Sequence, residues 1–300
     1  MEETFIVTKE EANTRIDVLC TQKFPKISRS RWTKHGTFLL EKIPKKNKTK
    51  AKEKQSWTIS CPKETVLSQD MIPWDFTLKI LAESETWVVI EKPEGIAVHP
   101  SLSDSSQKTI INALVHMFGS SLSENFDEIE GRNIPRPGLV HRLDKPTSGL
   151  LLIAKTNQTH RYFQENWNKV EKIYSTIVLG KPPQRGKIDG AIFRDPRGRK
   201  KMSISTHEKA KSATTLFETL ESLNKLSHLS VKILTGRTHQ IRVHLSSIGF
   251  PILGDVLYDG EKSERLFLHA HKLTFPDPDK NDEFTEVISE IPEIFLKKLN

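Results

Sequence analysis

The chain has 300 residues, of which 36% are hydrophobic, and its formal net charge is +8. This length is enough for one large domain with a sizeable core and a second, smaller domain. No segment approaches the roughly 18 apolar residues that a membrane span needs, the N-terminus has no apolar run of signal-peptide length, and the two cysteines lack disulfide-framework or zinc-ligand spacing. These features exclude an exported or membrane protein and lead us to expect a cytoplasmic one.

The positive charge is concentrated near the N-terminus. Residues 1–60 contain 14 Lys and Arg against 7 Asp and Glu, a surplus of +7. Seven of these lysines lie in KIPKKNKTKAKEK, Lys42 to Lys54, which has no apolar periodicity. Taken alone, such a run is equally consistent with a solvated loop and with a surface that binds phosphates.

Two helices and two strands are predicted around this run. Ile16, Leu19, Cys20 and Phe24 recur at helical spacing. SRSRWTKHG then predicts a basic helix that begins at Ser28 and ends at Gly36. Short strands are expected at Thr37–Leu40 and Trp57–Cys61, joined by the lysine-rich loop.

The sequence TRIDVLCTQKFPKISRSRWTKHG resembles the helical half of a small RNA-binding module that occurs in a ribosomal protein and in many RNA-modifying enzymes. In the strand half, EKIPKKNKTKAKEK stands where that module has an Asn-Gly type of hairpin turn. The resemblance implies an α/β RNA-binding domain over residues 1–62, followed by a linker over 63–78. Its implied RNA-binding residues are Arg29, Arg31, Lys34, Lys45 and Lys46.

Residues 79–300 are expected to form the main domain. Its predicted elements, in chain order, are a strand at Trp87–Glu91 with a turn at Lys92–Gly95, a helix at Thr109–Phe118, a long loop at Gly119–Pro137, strands at Tyr174–Leu179 and Ser230–Leu234, and a helix at Thr238–Ile248. Strands and helices are intermixed without regular βαβ alternation, which favours an α+β domain.

The most informative segment is GLVHRLDKPTSGLLLIAKT, which places Asp144 in a polar turn between two apolar runs. Leu139 and Val140 are expected to end one buried strand, and Gly149–Ala154 to form the next. A carboxylate on a rigid turn can act as a nucleophile or as a base. For an arbitrary loop aspartate, however, capping its own turn is the commoner role.

A second polar cluster, TGRTHQIRVH, contains the expected partner of Asp144. Arg237 lies between a strand end and a helix start, where its guanidinium could pair with the carboxylate and keep it ionised. The histidines of this region do not predict a metal site. His239 and His244 are five residues apart and would face different sides of a helix, and the strand pair His269 and His271 has no third ligand nearby in sequence.

Six blocks in the main domain together resemble the RluA-type pseudouridine synthase family, in the RluD-like arrangement with an N-terminal ribosomal-protein-type module. They are EKPEGIAVHPS, GLVHRLDKPTSGLLLIAKT, EKIYSTIVLG, DPRGRKKM, LTGRTHQIRVHLSSIGFPILGD and RLFLHAHKLTF, and they occur in the family's order between about residues 80 and 276. The resemblance implies a mixed, largely antiparallel sheet flanked by helices. It implies Asp144 as the catalytic aspartate, Arg142 in the space of the flipped nucleotide, Tyr174 stacked on the target base and Arg237 paired with Asp144.

The implied activity is the isomerisation of uridine to pseudouridine in RNA, without a metal or another cofactor. The N-terminal module favours large-subunit ribosomal RNA as the target, and transfer RNA remains an alternative. A nucleosidase would use a similar carboxylate but release free uracil, and a non-catalytic RNA-binding assembly factor would account for the basic N-terminus alone. A glycoside hydrolase needs two cooperating carboxylates, of which the Asp144 turn supplies one.

Overall fold

The computed structural model describes residues 2–24, 32–33, 36–61, 72–100, 108–129, 132–195, 198, 201–280 and 283–299. The chain divides into two compact units, Met1–Asp70 with Glu128–Ile134, and Met71–Asp127 with Pro135–Asn300. Residues 72–78, which we expected in the linker, are part of the second unit. There the Trp74 N–H donates to the Asn112 carbonyl at 3.0 Å, and the Asn112 side chain donates to the Ile72 carbonyl at 3.0 Å.

The N-terminal unit packs one described helix on a four-stranded antiparallel sheet. Its elements are β1 (Glu2–Ile6), α1 (Ile16–Lys23), β2 (Thr37–Leu40), β3 (Ile43–Pro44) and β4 (Ser56–Ser60), and the strand order is β1-β4-β2-β3. Ile16, Leu19 and Cys20 of α1 share one buried cluster with Trp57 and Ile59 of β4. Strand β1 is not predicted from the sequence, because EETFI lacks the alternation of a half-buried strand.

The lysine-rich segment keeps a tight hairpin turn despite lacking Asn-Gly. Glu41 and Lys42 both have positive φ, 51° and 65°, as a two-residue primed turn requires. Lys45 and Lys46 follow with exposed side chains. Of the predicted second helix, Trp32 and Thr33 are helical, whereas Ser28, Arg29, Arg31 and Lys34 lie outside the described residues.

The second unit contains a nine-stranded sheet. The elements that follow the N-terminal unit, in chain order, are β5 (Lys79–Glu83), β6 (Trp87–Lys92), α2 (Ile110–Phe118), β7 (Phe126–Ile129), β8 (Arg132–Pro135), β9 (Ser148–Ala154), α3 (Asn157–Asn166), β10 (Glu171–Leu179), β11 (Arg185–Asp189), β12 (Ile192–Arg194), β13 (Met202–Ile204), β14 (Thr214–Leu223), β15 (Leu226–Ile233), α4 (Gln240–Ser247), β16 (Leu268–Pro276), β17 (Phe284–Ile288) and α5 (Glu293–Leu299). Of these, β7 and β8 lie largely within Glu128–Ile134, which belongs to the N-terminal unit. The sheet order is β11-β14-β15-β10-β16-β9-β6-β5, with β17 also on β16. Among the described pairings of this sheet, β9 with β16 is parallel and the others are antiparallel. The predicted α+β class with a largely antiparallel sheet is confirmed.

The most buried strand leads out of the turn that carries Asp144. Every residue of β9 is buried, because the strand lies inside the sheet between β6 and β16. The glycine at its start is required there. Gly149 has φ +109°, and a Cβ at this position would lie 2.3 Å from the Ala270 carbonyl oxygen of β16.

Several element predictions are corrected by the structure. Leu139 and Val140 do not end a strand, since Leu139 makes a single bridge to Ile153. Part of the predicted loop at Gly119–Pro137 forms the hairpin of β7 and β8. Both errors concern short segments whose conformation depends on pairing with distant residues. Among the helices that the structure describes, none is long and apolar enough to cross a membrane.

Candidate active site

The segment before Asp144 is hydrogen-bonded to the second half of β9, beyond the two residues of β9 that pair with β16. The Ala154 N–H donates to the Gly138 carbonyl at 2.8 Å, and the Leu152 N–H donates to His141 Nε2 at 2.8 Å. Because Nε2 accepts this bond, His141 must be neutral, and burial lowers its pKa to about 3. The loop is therefore fastened to a buried strand just before the turn.

A buried lysine ties the same turn to the end of β6. The side chain of Lys92 is fully buried, and its Nζ donates to the carbonyls of Pro93 at 2.6 Å, Ile96 at 2.9 Å and Lys145 at 3.2 Å. Burial lowers the Lys92 pKa to about 7, while the negative charge of Asp144 acts in the opposite direction. Lys92 thus connects the loop after β6, through Pro93 and Ile96, with the Asp144 turn, through Lys145.

Asp144 is paired with Arg242. Arg242 Nη1 donates to Asp144 Oδ2 at 3.2 Å, while its Nε and Nη2 grip both oxygens of Asp255 at 2.7 and 2.8 Å. Burial alone would lower the Arg242 pKa, but the hydrogen bonds and charge of Asp255, with a further contribution from Asp144, raise it. The guanidinium is therefore a fixed cation between two carboxylates.

The predicted pair of Asp144 with Arg237 is wrong. Arg237 Nε donates to the Ser212 carbonyl at 3.1 Å in an exposed position, and its backbone N–H donates to Gln240 Oε1 at 3.1 Å. The physical reason is the set of partners that holds each arginine. Arg242 lies in the first turn of α4 with its side chain buried, and Asp255 holds its guanidinium beside Asp144, whereas Arg237 in the preceding loop is held by the Ser212 carbonyl.

His239 lies near the same carboxylate oxygen as Arg242. Its Nε2 lies 3.8 Å from Asp144 Oδ2, and its Nδ1 lies 2.7 Å from the Tyr258 hydroxyl. Burial lowers the His239 pKa, although the charge of Asp144 opposes the shift. The contacts of Asp144 with Arg242 and His239 are both made by Oδ2 and neither by Oδ1, and Asp144 lines a cleft.

The cleft around Asp144 has about 560 Å³ of empty space, a volume that includes open solvent at its mouth. Arg142 and Tyr174 both line it, together with Arg237 and Thr147. Tyr174 lies on β10 between Val231 of β15 and Ala270 of β16. Burial raises its pKa above the usual tyrosine value, as does the charge of Asp144, so its hydroxyl stays protonated at neutral pH.

Sequence reasoning missed Arg242, Asp255, Lys92 and Tyr258. Arg242 had a usable signal: it lies in IRVHL, between apolar residues that all face inward in the structure. A buried arginine almost always has a charged partner. Asp255 and Tyr258 had no comparable signal, because their contact with α4 depends on how the loop after α4 folds back.

The histidines considered as metal ligands have other partners. His244 lies 2.9 Å from the Thr215 hydroxyl and 3.1 Å from the Gly190 carbonyl, and His269 lies between the hydroxyls of Ser148 and Ser289 at 2.8 and 2.9 Å. Within the described ranges, no group of three His, Cys, Asp or Glu side chains is arranged to hold a metal ion.

Comparison with known proteins identifies the family of this chain. Residues 86–247 match the family model described as RNA pseudouridylate synthase. The chain is 35% identical to the ribosomal large subunit pseudouridine synthase D of Pseudomonas aeruginosa over 84% of this chain and 75% of that protein, and 35% identical to the protein of the same name from Borreliella burgdorferi over 96% and 90%.

A solved structure, human RNA pseudouridylate synthase domain containing 1, superposes with a TM-score of 0.57 at 29% identity, covering 75% of this chain and 86% of that one. The matched family segment contains the Asp144 turn, strand β10 with Tyr174 and the helix with Arg242. The chain therefore belongs to the RNA pseudouridylate synthase family, enzymes that isomerise uridine in RNA to pseudouridine.

Proposed function

We propose that this chain converts specific uridines of large-subunit ribosomal RNA to pseudouridine in the cytoplasm, and that Asp144 acts on the ribose of a nucleotide flipped into the cleft. The target class is supported by the names of the relatives from Pseudomonas aeruginosa and Borreliella burgdorferi, both called ribosomal large subunit pseudouridine synthase D. The catalytic assignment is supported by one observation above all: Asp144 lines the cleft, and a fixed cation holds one of its two carboxylate oxygens.

The reaction breaks the bond between the ribose anomeric carbon and the uracil ring nitrogen, turns the retained base, and joins the same sugar carbon to a ring carbon. No atom of the nucleotide is lost except the proton that leaves that ring carbon, and a proton is gained at the ring nitrogen. Oδ1 of Asp144 can attack the anomeric carbon or take a proton from the sugar. Arg242 orients the carboxylate for either route through its charged hydrogen bond to Oδ2.

The cleft also contains groups suited to holding an extruded base. A base that leaves its helix loses stacking, and an aromatic ring can replace part of it. Tyr174 supplies a ring on a rigid strand beside Asp144. Arg142, two residues before Asp144, is exposed and long enough to fill the gap left in the RNA. We assign base stacking to Tyr174 and occupation of the vacated space to Arg142.

The experiment compares the wild type with Asp144→Asn on total RNA from cells that lack the gene. Asn keeps the size of the side chain and removes its charge, so RNA affinity and melting should be nearly unchanged while pseudouridine formation is lost. Mapping of modified sites should place the wild-type product in large-subunit ribosomal RNA. Modification confined to transfer RNA would replace the target, release of free uracil would indicate a nucleosidase, and an active Asp144→Asn variant would remove Asp144 from its role.

A further inference from the structure

His239 has a backbone conformation that its side chain does not favour. It precedes helix α4 with φ 56° and ψ 20°, in the left-handed region. Residues other than glycine reach this region at an energetic cost, histidine more readily than most, and such residues cluster at functional sites. The imidazole is 18% exposed and lines the cleft, so the conformation brings a ring nitrogen to within 3.8 Å of Asp144 Oδ2.

The other ring nitrogen is held by Tyr258. Tyr258 lies in the short 3-10 turn Val256–Tyr258, and its ring is 2% exposed. Its hydroxyl accepts a hydrogen bond from the Met202 N–H of β13 at 2.8 Å and lies 2.7 Å from His239 Nδ1. The Arg242 guanidinium carbon lies 5.0 Å from the centre of the same ring. Tyr258 is therefore in contact with the helix, the hairpin of β12 and β13, and the arginine that holds Asp144.

These contacts fix which nitrogen of His239 carries the proton. Burial raises the Tyr258 pKa to about 12, so the hydroxyl keeps its hydrogen at neutral pH. The Met202 N–H already uses one lone pair of the oxygen, and the hydroxyl hydrogen needs an acceptor, for which His239 Nδ1 is in range. With Nδ1 as that acceptor, the hydrogen of a neutral His239 is on Nε2, the nitrogen that lies 3.8 Å from Asp144 Oδ2.

We infer that His239 and Tyr258 are positioning residues for Asp144: the Tyr258 hydroxyl fixes the tautomer in which His239 Nε2–H faces Oδ2, so that Oδ2 is held from two sides and Oδ1 is left for the ribose. The inference rests on the proposed role of Asp144. At 3.8 Å the Nε2–Oδ2 contact is about 0.8 Å longer than a usual hydrogen bond, and contacts of this kind commonly tighten when substrate binds.

The arrangement also connects the carboxylate to a distant segment. Met202 belongs to a hairpin that is separate from the main sheet, and its backbone N–H is the far end of the series Met202, Tyr258, His239 and Asp144. If this hairpin moved away, the Tyr258 hydroxyl oxygen would lose the hydrogen bond from the Met202 N–H. It could then accept a hydrogen bond from His239 Nδ1–H, which would leave Nε2 without its hydrogen.

The first test measures the tautomer in the full-length resting enzyme. Histidine labelled with ¹⁵N reports the protonated ring nitrogen by its chemical shift, and His239→Asn identifies the signal. The wild type should show Nε2–H as the dominant form, and Tyr258→Phe should show a mixture. Tyr162→Phe, the same exchange on helix α3, should leave the His239 signal unchanged. Dominant Nδ1–H in the wild type would overturn the inference without involving catalysis.

The second test is a double-mutant cycle on the single-turnover rate at saturating enzyme. Loss of one neutral hydrogen bond is worth about 0.5–1.5 kcal/mol, so Tyr258→Phe should slow the reaction roughly 2- to 12-fold with RNA affinity unchanged. His239→Asn tolerates the left-handed backbone but cannot reach both partners. In its background, Tyr258→Phe should have no further effect.

Additive effects of the two substitutions, or a wild-type rate for His239→Asn, would overturn the inference. Melting curves of all variants show whether a loss of rate comes from misfolding. If a variant is misfolded, the inference is judged by the His239 tautomer of the wild type alone. An active Asp144→Asn variant would refute the proposed function instead. The tautomer of His239 is measured in the resting wild-type enzyme, so that result does not depend on whether Asp144 is catalytic.

Discussion

Replacement of Arg242 by Met should destabilise the second unit strongly. The Arg242 and Asp255 side chains are 7% and 1% exposed. The substitution removes the cation and leaves a buried carboxylate uncompensated, for which the usual cost is about 3–5 kcal/mol. For a domain of roughly this size, each kcal/mol corresponds to about 2–4 °C of melting temperature, so the transition of the second unit should fall by roughly 6–20 °C.

The same substitution should slow catalysis. Arg242 contributes one hydrogen bond from a charged donor to Asp144 Oδ2, and such bonds are worth about 1.5–3 kcal/mol. If this stabilisation is used to orient the carboxylate for attack, the single-turnover rate at saturating enzyme should fall about 10- to 150-fold. The assay is pseudouridine formation in a ribosomal RNA fragment, at a temperature where the variant is folded.

Two further variants separate charge from orientation. Arg242→Met with Asp255→Asn removes the uncompensated charge as well, so it should regain most of the lost stability but not the rate. Arg237→Met is the matched control, because Arg237 donates from an exposed position to a backbone carbonyl, and it should change the stability by less than about 1 kcal/mol. Equal melting of Arg237→Met and Arg242→Met, or full activity of Arg242→Met, would refute the reasoning.

Three other perturbations have defined outcomes. The folded-state pKa of His141 is lowered, so the unfolded chain binds the extra proton below pH 6.5 and the free energy of unfolding decreases as the pH falls. His141→Gln keeps an acceptor for the Leu152 N–H, and between pH 6.5 and 4 its free energy of unfolding should decrease less than that of the wild type, by on the order of 2–3 kcal/mol, whereas parallel curves would contradict this. Lys45→Gln with Lys46→Gln should reduce the salt slope of RNA binding by roughly 0.7–0.9 per lost phosphate contact, with the rate at saturation unchanged, and an unaltered slope would remove these lysines from the RNA interface. Gly149→Ala should cost at least about 1–3 kcal/mol in chemical denaturation because of φ +109° and a carbonyl oxygen 2.3 Å from the new Cβ, so a neutral result would show that β9 can shift.

Local features of the sequence predicted the position of the central elements and of the turn that carries Asp144. The apolar run Gly149–Ala154 predicted a buried strand, and the polar turn before it predicted where Asp144 would lie. The helix at residues 110–118 was predicted from its amphipathic pattern, and it begins after Thr109, as its capping box requires. Such signals depend on residues close in the chain, so one sequence is enough to show them.

The strand pairings and the partner of Asp144 were decided by the tertiary structure. Arg237 and Arg242 are five residues apart, and both lie near a helix start. Which one meets Asp144 depends on Asp255, whose two carboxylate oxygens hold the Arg242 guanidinium. Asp144 and Arg242 are 98 positions apart. No local pattern determines a contact of that separation, because it is set by how β9, β10 and β16 pair and by the loop that packs over α4.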